Sequence, residues 1–307
     1  MKEISVDVLI PVYHPGKEFH ELLVRLNRQK MPVRKIWIMN TEKEFWNPDW
    51  EREFPELEVR HLTKKEFDHG GTRRSGAALS DADFLICMTQ DALPADTLLV
   101  SGLLAPLLAD PQIGSAYARQ MAKKGSGLLE ALTRSFNYPA ESVVKWEKDL
   151  PVYGVKTFFC SNVCAVYRKS VYDELGGFPE RAIFNEDMIF ARRVIDHGYG
   201  ICYAADARVY HSHRYSCRQQ FQRNFDLGVS QAEHPEVFAD VPSEGEGIAL
   251  VKKTAVRLVE QRHPELLPQL FFQSASKYLG YLAGKHYRAL PKSWIARFTM
   301  NPSYWSC

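Results

Sequence analysis

Val6-Asp7-Val8-Leu9-Ile10-Pro11-Val12-Tyr13 is the first strongly apolar stretch of the chain, and together with the segment after it this stretch sets the architecture. Val6 to Ile10 is a strand-length stretch, aliphatic except for Asp7, after which Phe19, Leu22, Leu23 and Leu26 recur at helical spacing. Further strand signals lie at Lys35 to Met39, Glu58 to Leu62 and Asp83 to Met88, with an Ala-rich helix from Arg73 to Leu79 before the last. Strands alternating with helices predict an α/β fold: a mostly parallel sheet with helices on both faces. Ligands of such sheets bind beyond the carboxyl ends of the strands. Pro11 to Tyr13, Asn40-Thr41 and Thr89 to Asp91 are therefore expected to gather at one edge.

Outward from this core, Asp96 to Ala105 reads as a helix and Ile113 to Arg119 as a strand. Lys123 to Val152 is polar, aromatic and poorly periodic, which suits a loop or short helices beside a cleft. Phe158 to Tyr167 is β-prone, interrupted by Ser161-Asn162, and Ile201 to Tyr210 is the last strand. Beyond Arg214 the pattern turns helical, from Gln219 to Ala232 and from Ile248 to Arg262.

With 307 residues, 45% of them apolar and 25% charged, the chain has enough material for a substantial core. A net charge of +2 lacks the basic excess of a general nucleic-acid binder, so nucleic acid is not an expected partner. The six cysteines form no C-x-x-C pair and several sit in apolar runs, which predicts buried thiols in a reducing compartment. No secretory signal is read at the N-terminus, and the longest apolar-rich run, Leu98 to Ala109, falls short of the roughly 18 residues that span a bilayer.

Chemistry concentrates between Leu175 and His213. Leu175-Gly176-Gly177-Phe178-Pro179 is followed by Asn185-Glu186-Asp187, Gly198-Tyr199-Gly200 and Val209-Tyr210-His211-Ser212-His213. Asn185 is a good helix cap, and apolar spacing from Met188 to Ile195 puts Glu186 and Asp187 in a first helical turn. There the macrodipole favours the ionised form of a carboxylate that must take a proton from a hydroxyl. For an isolated Asn-Glu-Asp, capping and solubility would be the ordinary explanation.

The order of these motifs resembles the acceptor half of family 2 glycosyltransferases of the GT-A fold, where a GGF turn, an ED pair and a late histidine follow one another. Val6 to Tyr13 is similar to the family's opening strand and nucleotide-contacting turn, and Gly71-Thr72-Arg73-Arg74-Ser75-Gly76 to its Arg-rich helix start. The resemblance covers roughly the first 215 residues. It implies a glycosyltransferase domain over 1–215, split into a donor half (1–119) and an acceptor half (120–215), with a helical, basic and aromatic region over 216–307. Thr89-Gln90-Asp91 stands where the family keeps its D-x-D metal motif, with only the second Asp retained, and resembles a rhamnosyltransferase-like subgroup.

By that resemblance Pro11, Tyr13, Thr41, Arg73, Gln90 and Asp91 would contact a nucleoside-diphosphate sugar, and Asp91, His211 and His213 would hold a divalent cation, Mg²⁺ or Mn²⁺. Arg74 takes the place of the family's usual Asn and is as well explained by a surface charge. The implied reaction is an inverting transfer of a sugar, L-rhamnose by the subgroup, to a hydroxyl of a glycan or lipid-linked glycan in cell-surface polysaccharide synthesis. Asp187 would be the catalytic base, and Glu186, the other member of the catalytic pair, would either support it from behind or contact an acceptor hydroxyl. A nucleotidyltransferase is a weaker alternative, lacking a Gly-rich basic signature after the first strand; a non-catalytic sugar-nucleotide or carbohydrate-binding protein of the same fold is another.

From Leu266 to Cys307 there are five Lys or Arg residues, interleaved with aromatics, and no acid. Such a tail suits either a packed terminal helix or a peripheral contact with an anionic membrane. The expected location is the cytoplasm, at the inner face of the cell membrane where the tail makes that contact.

Overall fold

The computed structural model describes residues 4–241 and 244–305, and of residues 244 and 246 the backbone only. Its first elements are β1 (Val6–Tyr13), α1 (Lys17–Asn27), β2 (Lys35–Thr41), α2 (Asp49–Glu53), β3 (Leu57–Leu62), α3 (His69–Ala77), β4 (Phe84–Met88), β5 (Leu93–Pro94), α4 (Leu99–Ala109) and β6 (Ile113–Met121). Next come α5 (Leu128–Asn137), β7 (Val143–Lys145), α6 (Leu150–Tyr153), β8 (Cys164–Arg168), α7 (Lys169–Glu174), α8 (Glu186–Asp196) and β9 (Gly200–Tyr210). The last are α9 (Cys217–Glu233), α10 (Pro235–Phe238), α11 (Glu244–Glu260), α12 (Leu267–Lys285) and α13 (Lys292–Phe298). They divide into two units. The first holds residues up to Met121, Tyr138–Arg181 and Glu186–His211; the second holds Ala122–Asn137, Ala182–Asn185 and the chain from Ser212 onward.

In the first unit every residue from Val6 to Ile10 is buried, so β1 is covered on both faces, as an interior strand of a parallel sheet must be. Val8 pairs with Ile36 on one side and Ile86 on the other, both in parallel register. The sheet runs β3-β2-β1-β4-β8-β6-β9-β5, with β7 added against β9. Strands β1, β2, β3, β4, β6 and β9 share one direction; β5, β7 and β8 oppose them. The expected mostly parallel sheet is thus present, and the stretch read as polar and aperiodic folds into α5, β7 and α6.

Asp7 is fully buried in β1 and accepts from Arg34, Trp37 Nε1 (3.0 Å) and Ser80 Oγ (2.7 Å). Burial alone would raise its pKa, but these bonds outweigh it and hold the carboxyl below its ordinary value. The GGF turn depends on its glycines. Gly176 and Gly177 have φ of 76° and 67°, and a Cβ on Gly177 would lie 2.7 Å from the Tyr172 ring. Arg74 donates to the carbonyls of Gly176 and Phe178, and Arg193 to that of Gly177, so Arg74 staples this turn.

In the second unit, α9 starts with a capping box between Ser216 and Gln219, and its Phe225 and Val229 pack with Ile183 and Ile295. Asp226 is buried beside them and accepts from Thr299 Oγ1 (2.6 Å), Met300 N (2.9 Å) and Asn301 Nδ2 (3.0 Å), tying α9 to the segment after α13. The contact between α9 and α12 is made backbone to backbone. A Cβ on Gly228 would lie 2.3 Å from Tyr281 O, one on Gly280 2.2 Å from Phe221 O, and one on Gly284 2.1 Å from Phe225 O.

Cys87, Cys160, Cys164 and Cys202 are buried free thiols and Cys217 an exposed one; Cys307 lies outside the described residues. Burial pushes the Cys160 thiol up to about 12 and Cys202 up to about 11. No helix among the described residues is long and apolar enough to cross a membrane.

Candidate active site

The carboxyl ends of the parallel strands bring the expected residues together. β1 ends at Tyr13, β2 at Thr41, β4 runs into Thr89-Gln90-Asp91, and β9 runs into His211. Thr41 is buried with its hydroxyl unpaired, as is the Thr89 hydroxyl. Pro11 is half-buried within β1 and Tyr13 is exposed, its ring against His14, Phe45 and the ammonium of Lys64. Gln90 clasps the backbone of Tyr13, accepting from its N–H (2.8 Å) and donating to its carbonyl (3.0 Å). That clasp fixes the end of β1 to the loop that carries Asp91.

Asp91 reaches the last strand: its Oδ2 lies 3.5 Å from His211 Nε2. Behind His211 stands Gln120, buried at the end of β6, a residue that no motif or periodicity marks in the sequence. Gln120 donates to Ser161 Oγ (3.0 Å) and presents its amide oxygen to His211 Nδ1 (3.1 Å). An acceptor at Nδ1 keeps a proton there and turns the Nε2 edge of the ring to the Asp91 carboxylate. At that separation the imidazole attracts the carboxylate when Nε2 carries a proton, and the two can share a cation when it does not. His213, two residues on, adds a third ligand atom, and those of Asp91, His211 and His213 all lie within 4.8 Å of one another. This donor set fits a divalent cation.

Asp187 and Glu186 open α8 as the sequence predicts, but the residue before them is no ordinary cap: Asn185 has φ 60°, in the left-handed region. Asp187 is half-buried, accepting from the N–H of Met188 (2.8 Å) and of Asn162 (2.9 Å). Burial first, and then the charge of Glu186, pushes its carboxyl up to about 7. Glu186 goes the other way. Burial would raise it, but the Arg73 guanidinium at 3.1 Å, His69 and the Asn162 amide (3.0 Å) outweigh that and hold it ionised below the ordinary range. Arg73 is itself buried, bonded to the His69 carbonyl (3.2 Å), with its Nε unpaired.

Ser161-Asn162, visible in the sequence only as a polar break in an apolar run, proves to be the junction. Ser161 leads through Gln120 to His211 and Asp91; Asn162 holds Asp187 through its N–H, Glu186 through its amide, and accepts from Tyr167 at 2.8 Å. Hydrogen bonds and the Ser161-Asn162 backbone therefore connect His211, which stands beside the strand-end Asp91, to the helix-start Asp187. Such an arrangement can accept a proton from a hydroxyl at one end and hold a cation or an anionic leaving group at the other.

Comparison with known proteins agrees. Among solved structures, the chain superposes on a mannosyltransferase, PcManGT from Pyrobaculum calidifontis in complex with GDP-Man and Mn²⁺, with TM-score 0.56 at 16% identity over 99% of this chain and 87% of that one. It also superposes on S. aureus TarS 1–349 in complex with UDP-GlcNAc, with TM-score 0.53 at 16% identity over 93% and 92%. These likenesses establish the fold, the GT-A fold of glycosyltransferases. In sequence it is 35% identical to the O-antigen chain rhamnosyltransferase RfbN of Salmonella typhimurium over 99% of this chain and 96% of that protein. It is 39% identical to the O-antigen chain rhamnosyltransferase WbaN of Salmonella anatum over 98% and 96%. The model of the Glycosyl transferase family 2 matches residues 7–176, and with relatives of that identity along nearly its whole length the chain belongs to glycosyltransferase family 2.

Proposed function

We propose that this enzyme moves an L-rhamnosyl group from a nucleoside-diphosphate donor, with inversion, to a hydroxyl of a glycan or lipid-linked glycan in cell-surface polysaccharide synthesis. The observation that carries the reading is the set of bonds from His211, beside Asp91, through Gln120 and Ser161-Asn162 to Asp187, which joins a leaving-group site to a carboxylate placed to act as base. Residues 1–119 form the donor half and 120–215 the acceptor half. Asp187 takes the acceptor proton, the freed oxygen bonds to the anomeric carbon, and the bond from that carbon to the diphosphate oxygen breaks. Glu186, ionised but buried, orients Arg73 rather than touching the acceptor. Pro11, Tyr13, Thr41 and Gln90 line the nucleoside side.

A divalent cation held by Asp91, His211 and His213 would supply charge neutralisation to the departing diphosphate. Two imidazoles with one carboxylate suit a transition ion better than Mg²⁺, so Mn²⁺ is the expected ion. Gln120→Leu removes the acceptor that sets the His211 tautomer. It is expected to weaken Mn²⁺ binding about 10- to 100-fold, measured by isothermal titration with the metal alone. An unchanged Mn²⁺ affinity would detach Gln120 from the site.

The exposed apolar side chains on α11 to α13, together with the basic, acid-free tail, support peripheral contact with the inner face of the cytoplasmic membrane. The activity is tested by thermal shift with a panel of dTDP-, UDP- and GDP-sugars, followed by turnover and NMR of the anomeric product. Selective stabilisation by a rhamnosyl nucleotide and an inverted product are expected. A product with retained configuration sinks the single-displacement mechanism.

A further inference from the structure

The helical unit contains a cavity that the transfer reaction does not use. It has a volume of about 560 Å³, within the range of sites that enclose small organic ligands, and it lies among α5, α9, α11 and α12. Leu227, Leu250, Val251 and Leu270 form its wall, and each is only half-buried, so apolar surface faces a space that water would fill at a cost. Ile248, Phe271 and Tyr278 also line it and are 57%, 66% and 55% exposed, which places them at its mouth. Large apolar side chains around an open apolar cavity are unusual on a surface that meets only water.

Two lysines, Lys252 and Lys277, complete the lining. Lys252 is exposed, whereas Lys277 is half-buried, and burial lowers its pKa with Glu130 acting against that shift. An apolar ligand alone has no use for two ammonium groups. A ligand with a hydrocarbon chain and an anionic head uses both features; α12 carries no acid, and Glu130, whose charge acts on Lys277, is paired with Arg134 at 2.8 Å.

We propose that this cavity takes the hydrocarbon chain of a phosphate-bearing lipid, the carrier of the acceptor glycan, with Lys252 and Lys277 at the phosphate. The proposal rests on the lipid-linked form of the acceptor in the proposed function. It adds that the lipid is bound by the helical unit itself, separately from the sugar-transfer residues.

The test titrates the full chain with farnesyl phosphate, with farnesol and with inorganic phosphate, by isothermal titration. Farnesyl phosphate is expected to bind at least tenfold more tightly than either of the others. Ser274→Trp, which fills the cavity, and Ile248→Asp, which puts a charge at its mouth without touching a core residue, should each weaken it at least tenfold. Lys277→Met should weaken farnesyl phosphate and leave farnesol unchanged. Both Ser274→Trp and Ile248→Asp should keep wild-type turnover on a soluble acceptor without lipid, so loss of lipid binding is read separately from loss of transfer. Farnesyl phosphate bound no better than inorganic phosphate overturns the proposal. So does wild-type affinity in Ile248→Asp, or a dimer that Ile248→Asp abolishes in a protein that binds no lipid.

Discussion

Asp187→Asn is expected to lower turnover by about 10²- to 10⁴-fold while leaving binding of the sugar nucleotide close to wild type. The amide keeps the volume of the carboxylate and can still accept one of the two backbone N–H bonds from Asn162 and Met188, but it cannot take a proton. In the wild type, the rate should rise with pH through about 7, where burial and the neighbouring Glu186 set the Asp187 titration, and level off above it. Because the two carboxyls interact, that midpoint belongs to the pair. The sign for stability is opposite. A carboxyl raised in the folded state gives stability that is present at low pH and lost as pH rises through about 7, so the Asn variant should lose this part of the pH dependence of its thermal midpoint. Turnover within a fewfold of wild type for Asp187→Asn would remove it as the base.

For Gly284→Val the expected result is a loss of fold stability on the order of 3 kcal/mol or more. The new Cβ would stand 2.1 Å from the carbonyl oxygen of Phe225 and 2.9 Å from the amide of Val229, and neither atom belongs to a side chain that can swing away. Helices α9 and α12 must separate, which also strains the cluster of Phe225, Val229, Ile183 and Ile295. A fall of the thermal midpoint on the order of 5–10 °C is expected by calorimetry. Gly247→Ala in α11 is the control: nothing lies within 4 Å of its added Cβ, and a helical Gly→Ala change there should stabilise by about 0.5–1 kcal/mol. An unchanged midpoint for Gly284→Val would contradict the close backbone contact between α9 and α12.

Much of the architecture could be read from the chain because it is written in local periodicity. Val6 to Ile10, Lys35 to Met39 and Asp83 to Met88 announce interior strands by apolar runs, and the helices between them by 3.6-residue spacing. Once the strands are parallel, their carboxyl ends must coincide, so the edge carrying Tyr13, Thr41, Asp91 and His211 follows from the pattern. The placement of Glu186 and Asp187 at a helix start was legible for the same reason, although the left-handed Asn185 before them was not.

The tertiary structure alone decided which polar groups meet. Arg74 could be read as a surface charge, and only the packing of α3 beside the glycine turn turns it into a donor to carbonyls about a hundred positions away in the chain. Gln120, Ser161 and Asn162 carry no periodic signal, yet they join His211 to Asp187 through bonds spanning 25 to 91 positions. The glycines of α9 and α12 likewise look like weak helix residues until two backbones are brought within contact. Periodicity records which face of an element is buried. It holds no record of the partner across the interface, because a hydrogen bond or a close backbone approach depends on geometry that forms only when distant segments are packed together.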